Sequence, residues 1–428
     1  MSPILQLALD FLDLPRALAV ADEALKGGVD WIEAGTPLIK SEGLEAVREL
    51  KRCWPDRVII ADLKTMDAGR FEMESAAKAG ASIAGVLGAA SDATIAECIE
   101  VARNYGLRIV VDMIEVPDPV ERAKQVEAMG ADYVGIHTAI DQQMRGLASL
   151  DLIRRVKEAV SIPVSVAGGI NSETAAEAAK AGADIIVVGG AIIKSANAED
   201  ASRQIRTALD SLEGIATALY KRATATEVRP ILEVVSTANI SDAMHRSGEL
   251  AGLKPVFPGI TMVGPAVTVR TYPGDWAKPV EVIDRAEKGD VIVIDAGGVG
   301  PAVWGELATH SARERGLAGV VIQGAVRDTP EITKLRFPIF ASEFTPTAGE
   351  PKGFGEIDVP VTVSRTRIYP GDWLVGDDDG VVVIPKARVA DVANRAMDVL
   401  ERENRLRSEI QNGSTLSQVA YLQKWEKT

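Results

Sequence analysis

Over the first 210 positions, apolar residues come in short runs of four or five. Four of these runs follow a helix-spaced stretch that closes on glycine. The pattern repeats at Gly27–Glu33, Gly80–Val86, Gly130–His137 and Gly182–Gly190, and further apolar runs lie between the copies at Leu5–Leu9, Val58–Ala61, Arg108–Val111 and Pro163–Ala167. Glycine just past a helix relieves the left-handed conformation needed there. Eight strands alternating with helices in about 200 residues predict a compact (β/α)8 barrel.

Beyond residue 210 the texture changes. A helical pattern runs from Ala198 to Arg222 and breaks at Ala223–Thr226. Ser236 then caps a helix start, and strands are expected at Met262–Val269, Val291–Asp295, Gly319–Ile322, Ile339–Ala341, Val361–Val363 and Val381–Ile384. The run Tyr-Pro-Gly-Asp-Trp occurs at 272–276 and again at 369–373, as turn chemistry before a strand. A charged amphipathic helix is expected over 387–410. These shifts predict a barrel over 1–214, a helical linker over 215–229 and a second α/β domain over 230–428.

Charge changes the picture at the strand ends. In order these carry Asp10, Glu33, Asp62 with Lys64, Gly88, Asp112, His137, Gly168-Gly169 and Gly189-Gly190. The C-terminal ends of the strands are where such barrels hold their chemistry. The densest stretch is Val58–Gly69, in which four apolar residues run into Asp62, Lys64 and Asp67. Residues two apart on a strand share a face, so Asp62 and Lys64 emerge together. Such charges form either a structural ion-pair network or a site. Glu33 and Asp62 are hard oxygen donors suited to Mg²⁺ or another divalent cation. Glycine pairs after strands seven and eight suit a phosphate. His137 is one of three histidines and a candidate general acid or base.

In the second half, Asp295-Ala296-Gly297-Gly298-Val299-Gly300 follows a strand, but it lacks the spacing and the distal acid of a dinucleotide loop. More telling is Trp304-Gly305-Glu306-Leu307 followed by Arg327-Asp328, brought together by strand ends. Arg327 can grip a carboxylate bidentately and Asp328 can hold a divalent metal.

The chain has 428 residues and a net charge of −14, which disfavours nucleic acid as a partner. No apolar run reaches membrane-spanning length. Asp10 and Asp13 interrupt the N-terminal apolar stretch, and no basic segment precedes it, so a signal peptide is not expected. Two cysteines, Cys53 and Cys98, without metal spacing point to a reducing, cytoplasmic setting.

The first half resembles 3-hexulose-6-phosphate synthase, within the orotidine-monophosphate-decarboxylase-like barrel group that also holds 3-keto-L-gulonate-6-phosphate decarboxylase. The matching motifs are Ala8-Leu9-Asp10, Ile32–Ile39, Asp62–Gly69, Val116–Pro119, Gly135–Thr138, Ala167–Ile170 and Val188–Ala191. Gln143-Met144-Arg145-Gly146 departs from the pattern. The resemblance implies aldol addition of formaldehyde to ribulose 5-phosphate, with phosphate on Gly169, Gly190 and Ala191 and Mg²⁺ on Glu33 and Asp62. It further implies His137 as base, Lys64 stabilising the enediolate, Asp67 orienting Lys64, and Asp10 holding substrate or Lys64. A decarboxylase of the related type, with a non-catalytic regulatory or oligomerisation domain behind it, is the alternative.

The second half resembles the family of the ribonuclease-activity regulator RraA, which includes metal-dependent 4-hydroxy-4-methyl-2-oxoglutarate aldolases. The match rests on Ser236–Ala243, Gly324–Asp328 and Gly376–Pro385. It implies an α/β domain of swivelling type, with Asp328 holding Mg²⁺ through waters and Arg327 binding a pyruvate-like carboxylate. Backbone amides at Gly305, Glu306 and Leu307 would complete the pocket, with Glu306 retaining the acidic position. Trimers or hexamers, and hence a homo-oligomer, are implied.

Overall fold

A computed structural model describes residues 2–137, 150–217, 227–420 and 422. The Arg145 loop and residues 218–226 of the expected linker lie outside them. The chain divides into two compact units, Met1–Lys221 with Glu401–Thr428, and Arg222–Leu400. The expected second domain ran to the end of the chain. Instead the boundary falls inside the Val389–Gln411 helix, and the described residues beyond Leu400 belong to the barrel unit.

In the first unit, β1 (Ile4–Leu9), β2 (Trp31–Ala34), β3 (Val58–Thr65), β4 (Ile83–Leu87), β5 (Arg108–Asp112), β6 (Tyr133–His137), β7 (Val164–Ala167) and β8 (Ile185–Val188) close into a parallel barrel in sequence order. Alternation sorts the side chains. Leu5, Leu7, Leu9, Ile32 and Ile59 face outward and are fully buried against the helices. Ala8, Ile60, Ile83, Tyr133, Ile185 and Val187 fill the barrel interior. Trp31 meets Tyr133 edge-on there, with ring centroids 5.9 Å apart. Each fully buried leucine or isoleucine contributes about 1.5–3 kcal/mol. The same inward phase carries Asp10, Glu33, Asp62, Asp112 and His137 toward the upper rim.

Two features differ from the sequence-based expectation here. β3 continues to Thr65, with its register to β4 broken between Ala61 and Thr65. The helix from Ala198 ends at Ser211, because Leu212 turns left-handed (φ 56°). The chain then runs against the turn after β7, where the Ile215 amide donates to Ser172 O at 2.9 Å and the Ser172 hydroxyl to Ile215 O at 2.8 Å.

The second unit is a mixed sheet in the order β18-β17-β10-β11-β12-β13-β9, with β14 also on β10 and a separate hairpin of β15 (Val361–Val363) and β16 (Thr366–Ile368). β10 (Met262–Arg270), β11 (Val291–Asp295), β12 (Gly319–Val326) and β13 (Ile339–Phe344) run parallel. β17 (Trp373–Asp377), β18 (Gly380–Ile384), β9 (Lys254–Pro255) and β14 (Glu356–Ile357) pair antiparallel. Ile292, Ile294, Val320 and Ile322 pack under helices on one face, while Val291, Val293, Val321 and Phe340 form the opposite core. Ser236 caps the Thr237–Ala243 helix through a reciprocal capping box with Asn239.

The two Tyr-Pro-Gly-Asp-Trp runs part company. The second precedes β17 as expected, whereas the first follows β10 and leads into the Ala277–Glu281 helix. In both, the aspartate is a buried staple for backbone amides. Asp275 accepts from Ala277, Lys352, Gly353 and Phe354, and Asp372 from Tyr369 and Lys386.

Candidate active site

The register break in β3 shapes the mouth of the barrel. Lys64 sits in the left-handed region (φ 54°), a conformation that costs a lysine about 1–3 kcal/mol and clusters at functional sites. The turn aims the ammonium back across the mouth. Lys64 Nζ donates to Asp62 Oδ1 at 2.9 Å and to Asp112 Oδ2 at 2.8 Å. The Thr36 hydroxyl donates to Asp62 Oδ2 at 2.7 Å. Asp112 Oδ2 also faces His137 Nδ1 at 3.1 Å, and its Oδ1 accepts the Ile114 amide at 2.9 Å. The arrangement is a chain: Thr36, Asp62, Lys64, Asp112, His137.

The electrostatics follow from burial and charge. Burial opposes ionisation of Asp112, but the His137 hydrogen bond and the Lys64 charge outweigh it and hold its carboxyl down at about 2. Burial likewise opposes the Lys64 ammonium, yet the Asp112 and Asp62 charges overcome this and raise its pKa. Glu33 is 9% exposed, and burial, then Asp62 and Asp10, push its carboxyl well above the usual range, although the Gln6 amide donates to it. Asp10 is reachable from solvent at the mouth but is hemmed in by protein, and burial followed by the Asp62 charge raises its carboxyl. Gly35 makes its placement possible, since a Cβ there would stand 2.2 Å from Asp10 Oδ1.

Asp10, Glu33 and Asp62 therefore crowd negative charge beyond what Lys64 neutralises. Among the described residues no group of three metal-ligating side chains converges. Mg²⁺ uses one or two carboxylates and keeps waters, so the Glu33–Asp62 pair fits such an ion.

Sequence reasoning placed Asp67 beside Lys64. The structure does not: Asp67 is exposed, and its carboxylate accepts the Ala68 amide at 2.7 Å. Asp112 takes the expected position. It was visible as one charged strand end among several, but its pairing with Lys64 spans 48 residues and leaves no local pattern. Thr36, Gln6 and Lys194 were also missed. Gly168 and Gly169 adopt left-handed φ values of 108° and 71° after β7. Gly190 and Ala191 open the Gly190–Ile193 helix after β8. Lys194 Nζ lies 3.2 Å from where a Gly190 Cβ would stand, which puts a cation at the glycine pair.

In the second unit, the Glu306 amide at the start of the Glu306–Glu314 helix donates to Asp328 Oδ2 at 3.2 Å. A Cβ on Gly305 would stand 2.7 Å from that same oxygen, so glycine permits the approach. Arg327 Nε lies 3.5 Å from Asp328 Oδ2, and His310 Nε2 lies 3.2 Å from Glu306 Oε1. Arg327 and Asp328 are both open to solvent, and Leu307 is 78% exposed. Asp328 alone fits a cation held largely through water.

The closed parallel barrel and the separate α/β unit agree with the comparisons. Residues 3–205 match the family "Orotidine 5'-phosphate decarboxylase / HUMPS family", and residues 237–383 match "RraA-like: Aldolase/RraA". The chain belongs to the first family through its barrel and carries an RraA-like domain behind it. It is an enzyme with lyase activity. The 3-hexulose-6-phosphate synthase of Mycobacterium gastri is 40% identical over 205 residues, 48% of this chain and 99% of that enzyme. That of Bacillus subtilis (strain 168) is 42% identical over 201 residues, 46% of this chain and 95% of that enzyme. A solved 3-hexulose-6-phosphate synthase is 41% identical, covering 49% of this chain and 99% of that one with a TM-score of 0.46.

Proposed function

We propose that the barrel joins D-ribulose 5-phosphate to formaldehyde, reversibly, giving D-arabino-hex-3-ulose 6-phosphate. The observation that carries this reading is the chain Asp62–Lys64–Asp112–His137 at the barrel mouth, in a chain whose similar relatives bear the synthase name. Asp112 accepts from His137 Nδ1, which leaves Nε2 free to take a proton. His137 removes a proton from C1 of the ketose, and the electron pair moves onto the C2 oxygen as a 1,2-enediolate. Lys64, fixed between two carboxylates, presents positive charge where that oxyanion develops. C1 then attacks the formaldehyde carbon, and the resulting alkoxide takes up a proton.

Glu33 and Asp62 would hold Mg²⁺, which when bound polarises the ketone oxygen as a Lewis acid. Amides at Gly169, Gly190 and Ala191, with Lys194 beside them, receive the phosphate. Asp10 is placed to orient sugar hydroxyls. In the second unit, Arg327, Asp328 and the amides at Gly305, Glu306 and Leu307 form a candidate pyruvate-type aldolase site.

We place the enzyme in the cytoplasm as a homo-oligomer. Unpaired Cys53 and Cys98 support a reducing compartment. No helix among the described residues is long and apolar enough to cross a membrane. The test is formaldehyde consumption by the full-length chain with ribulose 5-phosphate, before and after chelation. No consumption in the presence of Mg²⁺ removes the proposal.

A further inference from the structure

The barrel unit contains an arginine that the proposed chemistry does not use. Arg405, on the Val389–Gln411 helix, is 5% exposed. Arginine is rarely buried unless its charge and donors are matched. Here they are. Nε donates to Glu409 Oε1 at 2.8 Å, Nη2 to Glu23 Oε1 at 2.9 Å, and Nη1 to the Ser195 carbonyl at 2.7 Å and Glu23 Oε2 at 3.2 Å. Glu23 belongs to the Leu14–Lys26 helix, and its Oε2 also accepts the Ala198 amide at 3.2 Å. Arg405 and Glu23 thus grip the Ser195–Ala198 turn from both of its ends.

That turn closes the short helix opened by the glycine pair. The Lys194 amide donates to Gly190 O at 3.1 Å and the Ser195 amide to Ile192 O at 3.2 Å. Ser195, whose carbonyl Arg405 holds, stands five positions beyond Gly190. The segment bearing Arg405 is itself tied down. Arg16 donates to Glu409 Oε1 at 3.0 Å and to Val419 O at 3.2 Å. The synthase of Mycobacterium gastri is 99% covered by 205 residues of this chain, and the family match ends at residue 205, so that enzyme has no length left for a counterpart.

We propose that Arg405 is a positioning residue that fixes the Gly190–Ile193 helix for binding the phosphate monoester end of the barrel's substrate. This rests on the phosphate reading of Gly190 and Ala191 given above. The test uses full-length Arg405→Ala and Arg405→Lys, with Arg407→Ala, an exposed neighbour on the same helix, as control. Two quantities are read: KM and kcat for ribulose 5-phosphate, and the affinity for inorganic phosphate by calorimetry. Arg405→Ala is expected to raise KM and weaken phosphate binding in parallel, each about three- to tenfold, with kcat within about twofold. Arg405→Lys, keeping the charge but losing the fork, is expected to recover part of the loss, and Arg407→Ala to change nothing.

A merely structural role predicts a lower melting temperature and lower kcat at unchanged KM, and that result overturns the proposal. So does unchanged phosphate affinity in a folded Arg405→Ala or Arg405→Lys protein. If the wild type binds phosphate but turns over no ribulose 5-phosphate, the functional reading falls while the calorimetric comparison still decides the role of Arg405. Should Arg405→Ala fail to fold, Arg405→Lys and Glu23→Gln carry the same comparison.

Discussion

Asp112→Asn separates the proposed mechanism from a purely structural ion-pair network. The substitution keeps the shape of the side chain and removes its charge. Asp112 Oδ2 serves both Lys64 Nζ at 2.8 Å and His137 Nδ1 at 3.1 Å, so one atom is tested in two roles. The folded protein holds this carboxyl at about 2 against an ordinary 3.8. That depression corresponds to about 2–3 kcal/mol favouring the charged form. Its side chain is only 13% exposed, so solvent screens little of it. A neutral isostere forfeits what protonation would forfeit, and the barrel's melting temperature should fall by about 4–10 °C at pH 7.

The sign with pH follows from linkage. Between about 2 and 3.8 the unfolded chain binds the proton more readily than the folded one. Wild-type stability from this group is complete above about pH 4 and is lost as pH falls through 2. The gap between wild type and Asp112→Asn should therefore close on acidification. Catalysis should suffer separately, because His137 loses the carboxylate that orients Nδ1 and leaves Nε2 as the base. General-base contributions of about 10²–10⁴-fold set the expected fall in kcat/KM for ribulose 5-phosphate and formaldehyde. Melting by circular dichroism and steady-state formaldehyde consumption provide the two readouts. A variant within about threefold of wild-type kcat/KM would refute the catalytic assignment, even if it melts lower.

Lys64→Ala should lower kcat by about 10³-fold or more with the far-ultraviolet spectrum unchanged; substantial residual turnover removes Lys64 from the mechanism. Glu33→Gln should melt higher than wild type in metal-free buffer at pH 7–8. A carboxyl raised by burial, Asp62 and Asp10 stabilises below its unfolded value and loses that contribution as pH rises, whereas Gln has no proton to lose. The same variant should lose Mg²⁺-dependent turnover, and a lower melting point contradicts the charge-crowding argument. Thorough chelation should silence formaldehyde consumption, and re-addition of Mg²⁺ should restore it. Asp328→Ala should abolish oxaloacetate or hydroxy-oxoacid cleavage by the second unit while leaving formaldehyde consumption intact; cleavage that survives points to another site.

The barrel was readable because its signal is repetitive. Glycine-closed helices and apolar runs located all eight strands, and alternation then sent Asp10, Glu33, Asp62, Asp112 and His137 to one rim. Less could be read where geometry departs from repetition. The left-handed turn at Lys64 leaves no mark in residue type, so Asp67 was given a partnership that Asp112 holds. Short antiparallel strands escaped for a related reason: Lys254–Pro255 and Glu356–Ile357 are two residues each, too brief for any period. The helix overrun past Ser211 reflects a tertiary decision, the docking of Ile215 on Ser172, that helical spacing alone does not encode.

The grip of Arg405 on Glu23 joins residues 382 positions apart, and that of Arg16 on Val419 joins residues 403 apart. During translation, the whole intervening unit leaves the ribosome before these partners exist. A nascent chain stalled ahead of position 401 carries a barrel whose Glu23 and Arg16 still await their mates. The segment that bears them can dock on the barrel only after the second unit has been synthesised.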